Sequence, residues 1–150
     1  MKRISTLLAS LFLATSITFA KDLVNADAAS KTGLQGYDPV AFFTDGKATK
    51  GSPLIAGEHK GVAYLFASEE HKAEFLKSPP KYLPAYGGYC AYGVSINRLF
   101  PVEIDTWEIV DGRLVLQYNQ DIKHKFAEDK AANFKKAEAN WPKLVETKGK

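Results

Sequence analysis

Cysteine and arginine are scarce in this chain, and long apolar runs are missing. Only one of the 150 residues, Cys90, is a cysteine, so no disulfide can form within the chain. After the first 20 residues, arginine occurs only at Arg98 and Arg113, which argues against a nucleic-acid-binding surface. No Ser-His-Asp order, phosphate-binding loop, paired-carboxylate motif or His-Glu-x-x-His motif is present. The sequence therefore does not by itself name a reaction.

Residues 1–20 have the pattern of an export signal. Lys2 and Arg3 give a positive start, a short apolar stretch follows, and residues 18–20 place small side chains at the cleavage positions. The apolar stretch is shorter than the roughly 20 residues that a membrane-spanning helix needs. We therefore expect cleavage after Ala20, a periplasmic or secreted protein, and no stable membrane anchor. The mature chain is close to neutral because the signal carries two basic residues and no acidic one.

The rest of the chain is long enough for one domain with its own core. Residues 21–35 are polar and alanine-rich, which predicts a loose lead-in, and residues 36–145 are predicted to form a single domain. Residues 62–66 have the β-branched and aromatic content of a strand that follows a hairpin turn at 58–61. Asp111-Gly112 predicts a second hairpin, because this pair suits the turn whose twist matches the flanking strands.

Helix signals follow each of these β segments. Ser68 is a predicted N-cap, and Asn119 or Asp121 is expected to begin a last helix that Pro142 ends or kinks. Residues 91–96 fit a helix or a strand, and residues 101–106 are expected to form a loop. The predicted fold class is α+β, with a small antiparallel sheet and helices packed against it.

Cys90 is the main candidate functional residue, and it has two interpretations. It follows Gly87-Gly88, whose small size would let a ligand approach the backbone, and a thiolate there could attack or coordinate that ligand. Alternatively, Cys90 is a small buried apolar side chain and the glycines form a turn. Tyr89 and Tyr92 could line a pocket around the thiol, together with Tyr37 and Tyr86, or could pack in the core.

Two sets of motifs resemble known sequences. Tyr37-Asp38-Pro39-Val40, residues 61–75 and Pro79-Pro80-Lys81-Tyr82 resemble a YHS domain over residues 36–83. Residues 87–93 and 137–144 resemble a subgroup of small exported YHS proteins. The resemblance implies a treble-clef-related core followed by a C-terminal hairpin and helix, and it implies kinship with metal-handling modules.

The chain departs from the cysteine pattern that this resemblance implies. Ala41 follows the Asp-Pro-Val segment, Ala67 stands between Phe66 and Ser68, and His71 takes a later cysteine position. A closed zinc site needs about four N or S ligands, so the inherited metal site is expected to be lost. Some members of the exported subgroup use selenocysteine, and if that position corresponds to Cys90, the resemblance implies a redox or soft-ligand role there.

Three functions remain open at this point. The first is a binding module that presents Cys90, helped by His71, to a soft metal such as copper or zinc, or to a metal-bearing partner. The second is a thiol redox protein in which Cys90 is the catalytic residue and an outside thiol partner resets it. The third is a non-catalytic interaction module that has lost its metal site. His59 and His124 are expected to face solvent, and Asp38 is expected to cap the turn that follows it.

Overall fold

A computed structural model describes residues 21–149. The predicted export signal lies outside these described residues. The strands are β1 (Ser52–His59), β2 (Val62–Phe66), β3 (Glu103–Val110) and β4 (Arg113–Gln117). The helices are α1 (Ala41–Thr44), α2 (Glu69–Lys77), α3 (Pro79–Tyr82), α4 (Ala91–Ser95), α5 (Gln120–Glu128) and α6 (Lys130–Lys148). None of the described helices is long and apolar enough to cross a membrane.

The strands form two separate antiparallel ribbons, β1 with β2 and β3 with β4. The α+β class is therefore confirmed, whereas the expected common sheet is replaced by two hairpins. Both hairpin turns have two successive residues with positive φ, at Lys60-Gly61 and at Asp111-Gly112. This is the turn geometry whose twist matches antiparallel strands, and it explains why both turns could be predicted.

The predicted helix starts are largely confirmed. The side chain of Ser68 accepts a hydrogen bond from the backbone of His71, and Asn119 does the same for Ile122. The sequence left residues 91–96 open between helix and strand, and Ala91–Ser95 form helix α4. The predicted last helix is two helices, because Asp129 leaves the helical conformation and caps a new one through the backbone N–H of Ala132.

Two sequence expectations about element ends differ from the structure. Of the two effects expected of Pro142, an end to the helix is wrong, because α6 continues past it to Lys148, although an interior proline removes a hydrogen bond and costs about 3 kcal/mol. Leu144 is buried beyond the proline, so apolar contact in the last turns offsets that cost. The expected loop at 101–106 is also shorter, because β3 begins at Glu103 and Thr106 bonds to β4 through its hydroxyl.

The lead-in at residues 21–35 is tied to the domain. The backbone of Asn25 donates to the carbonyl of Gly87 at 2.9 Å, and its side chain donates to the carbonyl of Gly88 at 3.1 Å. Thr32 forms a parallel bridge to Ala63 on the outer edge of β2. The lead-in thus covers one edge of the first ribbon and runs beside the turn that precedes Cys90.

The described core consists of three apolar clusters. The first contains Cys90, Phe42 and residues of β3 and β4, and the second joins α4, α5 and α6. The third lies between the first ribbon and α2, around Phe75. Tyr92 packs against the first two clusters and Phe43 against the first and third, so these two side chains connect the core.

Candidate functional site

Cys90 lies where a left-handed turn meets α4. Tyr86, Gly87 and Gly88 all have positive φ, and glycine adopts that conformation at no steric cost. A side chain at Gly87 would also collide with the carbonyl of Leu23 in the lead-in. The turn sends the chain inward, and the backbone N–H of Cys90 donates to the carbonyl of Phe100 at 3.1 Å. The side chain of Cys90 is consequently only 1% exposed.

The thiol of Cys90 is a neutral hydrogen-bonding group. Its Sγ donates to Oε1 of Gln117 at 3.3 Å and accepts from the backbone N–H of Gly93 at 3.4 Å. Burial raises the pKa of the Cys90 thiol, and backbone N–H groups, that of Gly93 first, oppose the rise only in part. No side-chain cation is among the causes of the shift. The environment therefore favours the protonated thiol rather than an activated thiolate.

A cavity of about 340 Å³ opens from Cys90 to the surface. All seven lining residues are uncharged: Cys90, Tyr92, Gly93, Ile96, Phe100, Tyr118 and Ile122. Ile96 is 47% exposed and Tyr118 is 46% exposed, whereas Cys90 is buried, so Ile96 and Tyr118 lie at the mouth of the cavity. We call this cavity the Cys90 pocket. Its volume and apolar lining are typical of small-molecule sites.

The structure separates the tyrosines that the sequence grouped around Cys90. Tyr92 lines the Cys90 pocket. Tyr89 does not line it: its hydroxyl donates to the carbonyl of Val24, and its ring lines another cavity beside the lead-in. The hydroxyl of Tyr86 donates to Glu138 at 2.7 Å, and Tyr37 packs under Lys50.

A second polar arrangement centres on Asp38 and His71. Asp38 is fully buried, and its Oδ1 caps the next turn by accepting from the backbone of Val40 and Ala41, as expected. Its Oδ2 accepts from the backbone of Ala67 at 2.8 Å and contacts Nδ1 of His71 at 2.6 Å. The sequence identified the cap and the histidine separately. It gave no signal that they meet, because 33 residues separate them.

The other two histidines lie apart from this arrangement. His59 packs edge-on against Phe75 with ring centroids 6.3 Å apart, and His124 is exposed on α5. Within residues 21–149, no three side chains of the types His, Cys, Asp and Glu are grouped to hold a metal ion. The residues present do not fit the closed, cysteine-rich metal site that the YHS resemblance implies. The proposed pairing of Cys90 with His71 on one metal stays a prediction.

Comparison with known proteins gives this chain no relative. No protein-family model, no curated protein and no solved structure matches it. Two features of the described chain that bear on function are the Cys90 pocket and the Asp38–His71 pair.

Proposed function

We propose that this protein is a non-catalytic binding module whose ligand is a small, uncharged, apolar molecule held in the Cys90 pocket. The observation that carries the proposal is a surface-open cavity of about 340 Å³ with uncharged lining residues. Removing apolar surface from water contributes roughly 25 cal/mol per Å². Ile96 and Tyr118, half-exposed at the mouth, would lose that exposure when a ligand binds.

The lining also defines the chemistry of the ligand. A charged group would lose its hydration on entering and would find no opposite charge among the lining residues, which is costly. Lys125 is not among the lining residues, and its Nζ lies 5.5 Å from the centroid of the Tyr92 ring. Cys90 contributes a buried thiol whose proton is already donated to Gln117, so it adds no charge to the lining. An uncharged aromatic or aliphatic ligand suits this lining best.

The other two functions have less support. A thiol redox role needs a thiolate near neutral pH, and burial shifts the pKa of Cys90 in the opposite direction. Presentation of Cys90 to a soft metal would need further ligands from a partner. We further propose that the domain is a YHS-type module, exported to the periplasm or secreted, in which Ala41 and Ala67 replace former cysteine ligands.

A matched pair of fluorescent probes tests the proposed function. N-Phenyl-1-naphthylamine is uncharged, and its sulfonated analogue has a similar ring system with a negative charge. We expect the uncharged probe to bind the protein, and the sulfonate to bind about tenfold more weakly, because a buried charge without a partner costs more than 1 kcal/mol. Equal affinity for the two probes would contradict the assignment.

Two substitutions locate the binding. Ile96→Gln changes the mouth of the Cys90 pocket, and Leu76→Gln changes a side chain with the same exposure, 47%, on α2. We expect Ile96→Gln to weaken the uncharged probe about fivefold to tenfold and Leu76→Gln to leave it unchanged. If the two variants bind the probe alike, the Cys90 pocket is not the site.

A further inference from the structure

A second cavity, of about 280 Å³, lies between the lead-in, the turn of the first ribbon and α6. We call it the Tyr64 pocket, and it shares no lining residue with the Cys90 pocket. Its apolar wall is contributed by three separate segments of the chain: Leu23, Val24, Leu83, Pro84, Trp141 and Val145. Most of the other lining residues are polar or charged, and an apolar cavity with a few polar groups is typical of ligand sites.

Tyr64 brings an unpaired hydroxyl group to this pocket. The residue is only 2% exposed, and its ring packs on Phe75 with centroids 5.0 Å apart. Burial raises the pKa of Tyr64 to about 12, the negative charge of Asp22 adds to the rise, and no hydrogen bond is among the causes. Within residues 21–149, a side-chain nitrogen or oxygen that is both unpaired and sealed from solvent occurs only at Thr49. The hydroxyl of Tyr64 is therefore a protonated donor that opens to the cavity its residue lines.

The charged lining residues leave one positive charge without a counterion in the described chain. Lys60 and Asp22 form an ion pair at 3.0 Å, so their charges cancel. Nζ of Lys21 donates to the backbone carbonyl of Glu146 at 2.8 Å, and this acceptor bears no net charge. Two lysines and one aspartate thus give the lining a net charge of +1. The Lys60 side chain is 55% exposed, and an exposed ion pair contributes little, so Lys60 can also turn to a ligand.

We propose that the Tyr64 pocket binds a small aromatic monocarboxylate. The ring of the ligand lies against Trp141 and the rest of the apolar wall, where contact removes apolar surface from water. The carboxylate accepts the proton of the Tyr64 hydroxyl and neutralises the excess positive charge of the lysines. A hydrogen bond to an ionised acceptor is roughly twice as strong as a neutral one. An uncharged ligand would leave the excess positive charge unpaired, and a cationic ligand would be repelled by it.

A matched pair of single-ring probes tests the charge of the ligand by fluorine nuclear magnetic resonance. 4-Fluorophenylacetate carries a carboxylate, and 4-fluorophenylacetamide has the same ring and a similar shape without the charge. At neutral pH and low ionic strength, we expect the untagged protein to bind the carboxylate with a Kd of about 0.1–1 mM. The amide should bind at least about fivefold more weakly. Equal affinity for the two probes, or no saturable binding of the carboxylate up to about 10 mM, would overturn the proposal.

Tyr64→Phe removes the hydroxyl group on which the proposal depends. Because this hydroxyl has no hydrogen bond to lose in the described chain, we expect the urea midpoint of unfolding to stay unchanged. The affinity for 4-fluorophenylacetate should fall about fivefold. Tyr82→Phe is the matched control, since Tyr82 is equally buried, at 2%, in the same apolar cluster and does not line the pocket. A lower urea midpoint for Tyr64→Phe with unchanged affinity would show a purely structural tyrosine and overturn the proposal.

Lys60→Gln and Asp22→Asn break the same ion pair but change the charge of the pocket in opposite directions. We expect Lys60→Gln to weaken 4-fluorophenylacetate about threefold to fivefold and Asp22→Asn to strengthen it about twofold to threefold. Lys135→Gln, on the exposed surface of α6, and Ile96→Gln, at the mouth of the Cys90 pocket, should leave the affinity unchanged. Changes of the same sign in the two ion-pair variants would mean that only the structural contact matters. That result, or weaker binding by Ile96→Gln, would overturn the proposal.

Discussion

Cys90 and Gln117 are joined by a hydrogen bond in which the thiol donates to the side-chain amide oxygen at 3.3 Å. The same oxygen accepts the backbone N–H of Tyr92 at 3.0 Å. Gln117 therefore holds the first turn of α4 against β4 and gives the buried thiol an acceptor for its proton. One buried amide connects the stability of the domain with the chemistry of its only thiol.

Alkylation of Cys90 should be slow in the native protein. Burial lowers the thiolate fraction by raising the pKa, and the side chain is only 1% exposed. With iodoacetamide at pH 8, we expect a rate at least about tenfold below that of a cysteine in an unstructured peptide. In denaturant the rate should return to the peptide value. An alkylation rate in the native protein as fast as in the peptide would contradict this prediction and would support the thiol redox hypothesis.

Gln117→Leu should destabilise the protein by about 1–3 kcal/mol, because it leaves the part-buried N–H of Tyr92 without an acceptor. Urea unfolding monitored by tryptophan fluorescence measures the change. Gln120→Leu is the matched control: Gln120 is exposed and makes one hydrogen bond, to the carbonyl of Asp105, so we expect a change within about 0.5 kcal/mol. Similar losses in the two variants would mean that the Gln117 hydrogen bonds contribute little.

Asp38→Asn should be among the most destabilising conservative substitutions in this chain. An amide group placed in the Asp38 site would direct N–H donors at groups that are themselves donors. We expect a loss of about 3 kcal/mol in the free energy of unfolding. Asp129→Asn tests the specificity of this effect, since Asp129 caps α6 with one hydrogen bond and asparagine caps helices equally well. A small change in the free energy of unfolding at both positions would show that the hydrogen bonds to Asp38 contribute little to stability.

The ionised side chain of Glu138 should make the free energy of unfolding depend on pH. Its Oε1 accepts from Arg113 at 2.6 Å and from the hydroxyl of Tyr86 at 2.7 Å, and the Arg113 bond is the main cause that lowers its pKa. A lowered folded-state pKa contributes stability that is present above the unfolded value of 4.5 and is lost as the pH falls through the folded value.

The Glu138 prediction is tested by the difference in unfolding free energy between the unchanged protein and Glu138→Gln. We expect that difference to favour the unchanged protein at pH 7 and to shrink between about pH 5 and pH 3. Glu128→Gln, on the exposed surface of α5, should show no such pH dependence. A difference for Glu138→Gln that stays constant down to pH 3 would contradict the ion pair's contribution.

Local chemistry explains what the sequence could predict of this fold. The caps at Ser68 and Asn119 and the turns at Lys60-Gly61 and Asp111-Gly112 depend on a few neighbouring residues, and all of them are confirmed. Neighbouring residues could not predict that the strands form two separate ribbons, because this depends on contacts between elements that are distant in sequence. Pro142 is another such case, since burial of Leu144 decides whether the helix continues.

The candidate sites show the same limit. Cys90 was predicted to be the main functional residue, which stays a prediction, but the sequence could not say whether its sulfur is accessible, because its burial depends on Phe100, Gln117 and other residues distant in sequence. The contact between Asp38 and His71 is equally long-range. Thr44 and Asp45 carried no motif at all, and only the fold brings them near the imidazole of His71.

Tyr92 lines the Cys90 pocket and also packs against two core clusters. A ligand that fills the pocket would therefore restrict motion between the second ribbon and the C-terminal helices. Ligand binding should slow amide hydrogen exchange in both clusters and raise the melting temperature of the domain.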